Sequence, residues 1–164
     1  LTVKVIGIDP GTASCGYGIV HESGGRLKAI DHGWWKTPAG ERPERRLKTI
    51  FDAVAALIEL HAPDAVALEE SFVGADARTA LSVGQARGAV MVAAANAGVA
   101  CAEYPPARVK QTVCGYGRAE KQQVQRMVKA ILGLQAEPTP THAADALAVA
   151  ICHALAPPLL RIAG

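Results

Sequence analysis

From Val5 to Val20 the chain reads VIGIDPGTASCGYGIV, an apolar run cut short by one acid and a turn. Asp9 ends the run, and Pro10, Gly11 and Thr12 follow at once. An apolar, β-branched segment over Thr2 to Asp9 and a second over Ser14 to His21, alternating around Tyr17, Ile19 and Val20, are separated by too little chain for a crossover. Turns this short join antiparallel strands. The same feature fixes the acid. A carboxylate at the end of a buried strand, beside a tight turn with backbone amides close by, suits metal ions and the phosphates they bind. Asp, Pro and Gly are also ordinary turn formers, so Asp9 alone leaves both readings open.

A third β segment, Leu27 to Lys36, follows the Gly24-Gly25 turn. Arg42 to His61 carries Leu47, Ile50, Phe51, Val54, Leu57 and Ile58 at helical spacing, with Arg45, Arg46 and Lys48 outside, and Pro63 follows it. Ala65 to Glu69 reads as a buried strand. Asp76 is placed to cap a long helix reaching about Ala97, rich in small residues (Gly84, Ala86, Gly88, Ala89, Ala93, Ala94, Ala95). Small residues allow close backbone approach, either to the chain's own sheet or to a partner's helix. Val99 to Glu103 predicts a further strand, Pro105-Pro106 to about Val113 a helix, Cys114 to Arg118 a loop, and Ala119 to Leu132 another helix. After a linker at Glu137 to Pro140, Thr141 is placed to cap a last helix from His142 to Leu155, stopped by Pro157-Pro158. The order is an α/β fold with a mixed sheet, antiparallel first and parallel later, in a single domain over residues 1–164.

A formal charge of +2 is too small to name a partner by itself. The Ala-rich run from Ala86 to Val99 is broken by Arg87 and Asn96, which excludes a membrane span there, and the start lacks a signal-peptide pattern. Cys15, Cys101, Cys114 and Cys152 form no CxxC pair and read as reduced thiols of a cytoplasmic protein, neither zinc ligands nor disulfides.

Few acids fall on apolar elements. Asp9 ends the first strand, Glu69 (followed by Glu70) ends AVALE, and His142 and Asp145 stand at i and i+3 on one face of the last helix. Asp9 and Glu69 become neighbours if their strands pair in parallel. Singly, Asp145 reads as a dipole-complementing acid, His142 as a surface histidine and Glu69 as a solvated strand end. Together they make an oxygen-rich cluster with one imidazole, whose repelling carboxylates one or two divalent cations would relieve.

These residues sit in GIDPGT (7–12), ALEESF (67–72), GQARG (84–88), VKQTVCGYGRAEKQQV (109–124) and HAADALAVA (142–150). In that order the series resembles the RuvC-type Holliday-junction resolvases of the ribonuclease-H-like nuclease superfamily. The resemblance implies a ribonuclease-H-like mixed five-stranded sheet flanked by helices, and phosphodiester hydrolysis at a four-way DNA junction, cut symmetrically during recombination and repair. It implies that Asp9, Glu69 and Asp145 hold two divalent cations, Mg²⁺ or Mn²⁺, one activating a water and the other stabilising the leaving 3′ oxygen. His142 stands where many members have aspartate. It completes the coordination and helps move protons, and since imidazole suits transition metals better than magnesium, Mn²⁺ is expected to serve at least as well as Mg²⁺.

The resemblance also assigns DNA contacts. Arg108, Lys110, Arg118 and Lys121 belong to a basic stretch opposed only by Glu120, in which Lys110 and Lys121 fall at positions near the scissile backbone. Phe72 matches an exposed aromatic that stacks on a base near the junction centre. A junction has two equivalent strands to cut, so a homodimer fits, with the small-residue face of the Asp76–Ala97 helix as its interface and burial within the monomer as the alternative. Members work with a branch-migration motor. Actin-like ATPases and sugar kinases share a DxGT turn but need a second domain and a second phosphate loop. Another ribonuclease-H-like nuclease and a non-cutting junction binder are the remaining rivals.

Overall fold

Strand parity decides what each face of the sheet carries. The computed structural model describes residues 2–70 and 76–162. Its strands are β1 (Thr2–Asp9), β2 (Ser14–Ser23), β3 (Arg26–Lys36), β4 (Ala65–Glu69) and β5 (Ala100–Tyr104). They form one sheet in the order β3-β2-β1-β4-β5. Neighbours β1, β2 and β3 pair antiparallel, while β1–β4 and β4–β5 pair parallel, which is the mixed five-stranded sheet the resemblance implied. The β2–β3 hairpin runs further than its alternation indicates, because Gly24 and Gly25 at φ 58° and 81° close it in two residues.

The helices are α1 (Pro43–His61), α2 (Ala77–Asn96), α3 (Pro106–Cys114), α4 (Lys121–Leu132), α5 (Thr141–Ala154) and α6 (Pro158–Ile162). On one face of the sheet Ile6, Ile8 and Leu68 pack against Ile50 and Val54 of α1 and Val90 of α2. On the other, Val5, Val20 and Ala67 pack against Leu147 and Ile151 of α5, with Val109 of α3 and Val128 of α4 closing the layer. Each such aliphatic side chain taken out of water contributes about 1.5–3 kcal/mol. Because side chains alternate along a strand, Asp9 and Glu69 project on the same side as Val5 and Ala67, toward α5.

Several boundaries differ from the sequence reading. Thr141 is the first residue of α5, not its cap: Pro140 holds the cap position, and no side chain bonds to the free amides there. Ala119, buried in the core, precedes α4, and Glu120 takes the cap position of a helix that starts at Lys121. The prolines after α5 end it and also start α6, since Pro158 with its fixed φ suits a first helical turn. Asp76 caps α2 as expected, accepting from the amides of Arg78 and Thr79.

The small residues of α2 divide between two faces. Ala86, Ala93 and Ala94 are buried with Val90 against the sheet and α1. Gly84 and Gly88 face open space, among exposed Leu81, Met91 and Val92. Among the described residues no helix is long and apolar enough to cross a membrane. All four cysteines are free thiols.

Candidate active site

Parallel pairing puts Ile8 beside Leu68, so the next residues, Asp9 and Glu69, stand side by side at the carboxyl ends of β1 and β4. The first turn of α5 crosses them. Asp9 Oδ2 accepts a hydrogen bond of 2.8 Å from Nδ1 of His142, and Asp145 lies one turn further along. Asp9, Glu69 and Asp145 line a cavity of about 190 Å³ with Lys110 of α3 and Lys121 of α4.

Crossing this close to the sheet requires glycine beneath the helix. A Cβ at Gly16 would strike the carbonyl of His142 and stand 2.8 Å from its Cβ. A Cβ at Gly7 would strike the carbonyl of Ala146 and stand 2.9 Å from the Ala150 amide. The two glycines form the seat on which α5 rests, and so set how far His142 and Asp145 stand from β1. The letters GYG within a strand gave no sign of this, because the partner helix lies more than a hundred residues away in the chain.

A second supporting residue is Arg87 of the GQARG segment, whose side chain is 11% exposed. It donates to the backbone carbonyl of Glu69 and forms a 2.9 Å ion pair with Glu103 of β5. Arg87 therefore fixes the end of β4 from the face opposite the carboxylates.

The electrostatics follow from crowding acids at a partly buried site. Burial, then the charges of Asp145 and Asp9, push the Glu69 carboxyl up to about 7, against the pull of Lys110 and Lys121. Burial raises Asp9 as well, and the hydrogen bond from His142 only partly offsets it. Lys121 Nζ lies 3.0 Å from Asp145 Oδ2. Burial tends to lower the Lys121 ammonium, but the bond to Asp145 and the charges of Asp145, Asp9 and Glu69 raise it on balance.

Among the described residues no three His, Cys, Asp or Glu side chains are drawn together closely enough to hold a metal ion as they stand. The chemistry of the donor set nonetheless fits a hard divalent cation. Carboxyl oxygens on three elements face one cavity, and Lys121 and His142 leave their mutual repulsion uncancelled.

The remaining expected site residues lie elsewhere. Lys110 and Lys121 reach the cavity, while Arg108 and Arg118 are exposed and line neither it nor the groove beside it. Phe72 lies outside the described residues. That groove, about 690 Å³, shares Asp9, His142 and Asp145 with the site and is walled by Thr12, Arg78 and Ser82. None of those three was singled out in the sequence as a site residue.

Comparison with known proteins shows the family. Residues 5–153 match the family model described as crossover junction endodeoxyribonuclease RuvC. The chain is 53% identical to the protein of that name from Moorella thermoacetica, over 92% of this chain and 90% of the relative. It is 50% identical to the one from Desulfitobacterium hafniense, over 98% and 97% respectively. Among solved structures it superposes on Thermus thermophilus RuvC in complex with a Holliday-junction substrate, with a TM-score of 0.89, 41% identity and 93% of each chain covered. A carboxylate centre at the ends of β1 and β4, with a helix laid across it, thus belongs to a chain that is a member of the RuvC family of crossover junction endodeoxyribonucleases.

Proposed function

We propose that this chain is a structure-selective endonuclease that resolves four-way DNA junctions by divalent-metal-dependent phosphodiester hydrolysis, with Asp9, Glu69, Asp145 and His142 as its metal-binding set. The observation that carries this reading is the convergence of three carboxylates from β1, β4 and α5 on one cavity that also holds Lys110 and Lys121. Two divalent cations bound there, Mg²⁺ or Mn²⁺, supply an activated water and stabilise the leaving 3′ oxygen.

The chain's own groups do the rest. Asp9, whose Oδ2 is hydrogen-bonded to Nδ1 of His142, would share a cation with Glu69 and Asp145, and that hydrogen bond orients the imidazole toward the carboxylates. Lys121 pairs with Asp145; a cation held by Asp145 would compete for that carboxylate, and the ammonium would then be available to a neighbouring phosphate. Lys110 faces the same cavity from α3 and holds the scissile strand against it. Arg108 and Arg118, exposed on either side of the Gly115 turn, extend the contact along the DNA backbone, and Phe72 stacks on a base near the junction centre.

A homodimer suits a junction with two equivalent strands. Its interface is the outward stripe of α2, where Leu81 and Val92 are 66% and 59% exposed and the Gly84 and Gly88 positions are open. Two copies of a single nuclease domain then act as a pair, loaded by a branch-migration motor in the cytoplasm.

Incubating a synthetic four-way junction with wild-type protein and Asp9→Asn, with either metal, tests this. Symmetric cuts by the wild type only, with binding retained in the variant, support it. Binding without cleavage under both metals would make the chain a junction-binding protein instead.

A further inference from the structure

The carboxylates open onto two spaces of different size. The cavity holding Lys110 is about 190 Å³ and is walled by Ile8, Val109 and Val124. That is below the roughly 300–1,000 Å³ of sites that enclose small molecules. It has room for a phosphate group and not for the nucleotides on both sides of it. The groove on the other side is about 690 Å³ and is lined by Thr12, Ser14, Arg78, Thr79 and Ser82. A polymeric substrate whose phosphate is cut at Asp9 must continue somewhere, and the groove is where it has room to go.

The groove wall is built from hydrogen-bonding groups. Thr12 Oγ1 and Ser82 Oγ lie 2.5 Å apart, tying the β1–β2 turn to α2 and leaving each hydroxyl further capacity. Thr12 is held from behind as well, its carbonyl accepting from Thr37, whose hydroxyl takes a 2.8 Å bond from Arg46. Ser14 Oγ in the same wall is buried with no partner among the described residues. Asp76 already occupies the amides of Arg78 and Thr79, so the helix terminus is capped; of the two long cationic side chains that line the groove, Lys121 is paired with Asp145 and Arg78 is exposed. His142 lines the same groove as Arg78, Asp9 and Asp145.

Resting on the junction-nuclease reading, we propose that this groove binds the phosphodiester next to the scissile one on the cut strand, with Arg78 as its donor and Thr12 and Ser82 as a fixed polar rail. Guanidinium meets phosphate through two parallel hydrogen bonds, which holds a strand in register as well as binding it. Lys110 and Arg78 then grip the strand on opposite sides of the cut, and the two grips fix which bond faces Asp9.

The test uses Asp9→Asn protein, so that binding is read without cleavage, alone and combined with Arg78→Ala or Arg78→Lys. Affinity for a synthetic four-way junction is measured across a salt series. Arg78→Ala should weaken binding about tenfold and flatten the salt dependence by about one phosphate contact, with Arg78→Lys recovering the slope but not all of the affinity. Junctions carrying one neutral methylphosphonate, placed immediately 5′ or 3′ of the cut, locate the contact. At one of the two positions the substitution should weaken Arg78 protein but add nothing to the loss in Arg78→Ala. Unchanged melting temperature separates these effects from misfolding. Wild-type affinity and salt slope in Arg78→Ala, or fully additive losses at both positions, would overturn the inference while leaving the nuclease reading in place. Failure of the wild-type chain itself to bind or cut a junction would overturn both.

Discussion

Replacing Glu69 by glutamine should make the metal-free protein more stable, and only above mildly acidic pH. In the folded chain the Glu69 carboxyl is raised from 4.5 to about 7 by burial and by Asp145 and Asp9. A carboxyl whose folded value lies above its unfolded value stabilises the fold fully below the unfolded value. That contribution is lost as pH rises through the folded value. The whole difference corresponds to about 3 kcal/mol, and partial exposure of the group to water reduces it to about 1–2 kcal/mol. The amide that replaces it has the shape of the acid and no ionisation to suppress. In urea unfolding with a chelator present, the gap between Glu69→Gln and wild type should widen by about 1–2 kcal/mol from about pH 5 to about pH 8. Near the upper pH the variant should melt some 2–6 °C higher, on the order expected for that gap. Adding Mn²⁺ should reverse the order, because the cations bind the wild-type fold more tightly. A gap that does not change with pH, or wild type gaining on the variant as pH rises without metal, would refute the electrostatic account.

Three further changes probe the supports of the site and its metal. Gly16→Ala should lift α5 at His142, costing about 1–3 kcal/mol by overpacking, and should lower the cutting rate of the protein that still folds more than its junction affinity. Equal cutting rates for folded Gly16→Ala and wild type would show that the seat does not set the site. Arg87→Ala leaves Glu103 without its partner and the Glu69 carbonyl without its donor; the structure predicts a loss of about 2–4 kcal/mol in chemical denaturation, and a loss within about 0.5 kcal/mol would contradict the role assigned to it. With His142 as the proposed nitrogen ligand, cutting at equal metal concentrations should be at least as fast with Mn²⁺ as with Mg²⁺, and clearly faster cutting with Mg²⁺ would argue against ligation by His142.

What could be read from the sequence was whatever local rules and one crossover determine. Asp9 and Glu69 could be recognised as neighbours on condition that their strands pair in parallel, which the helix before β4 allows, since both acids end their strands. His142 and Asp145 could be placed on one face by helical spacing alone, whichever residue caps α5. The supports were hidden because each is a contact between distant segments. Gly16 looks like a weak strand residue until α5 is laid over it. Arg87 looks like an interruption in an alanine-rich helix until its tip meets the Glu69 carbonyl. The division of α2 into a buried and an open small-residue face depends on where α1 packs, which no pattern within α2 encodes. Arg78 was passed over for a similar reason: it is a lone surface arginine in the sequence, and gains meaning from the β1–β2 turn across the groove.

The central claim is that the carboxylates of Asp9, Glu69 and Asp145 gather the cations that cut the strand. It is tested most directly by preforming the complex with a four-way junction in chelator, starting the reaction with excess Mn²⁺, and measuring the single-turnover rate of wild type and of each carboxamide variant. The account predicts no cutting before metal, symmetric cutting by wild type after it, and rates lower by about a thousandfold or more in Asp9→Asn, Glu69→Gln and Asp145→Asn with the junction still bound. Cutting in chelator, or any one of the three variants cutting at close to the wild-type rate, would contradict it.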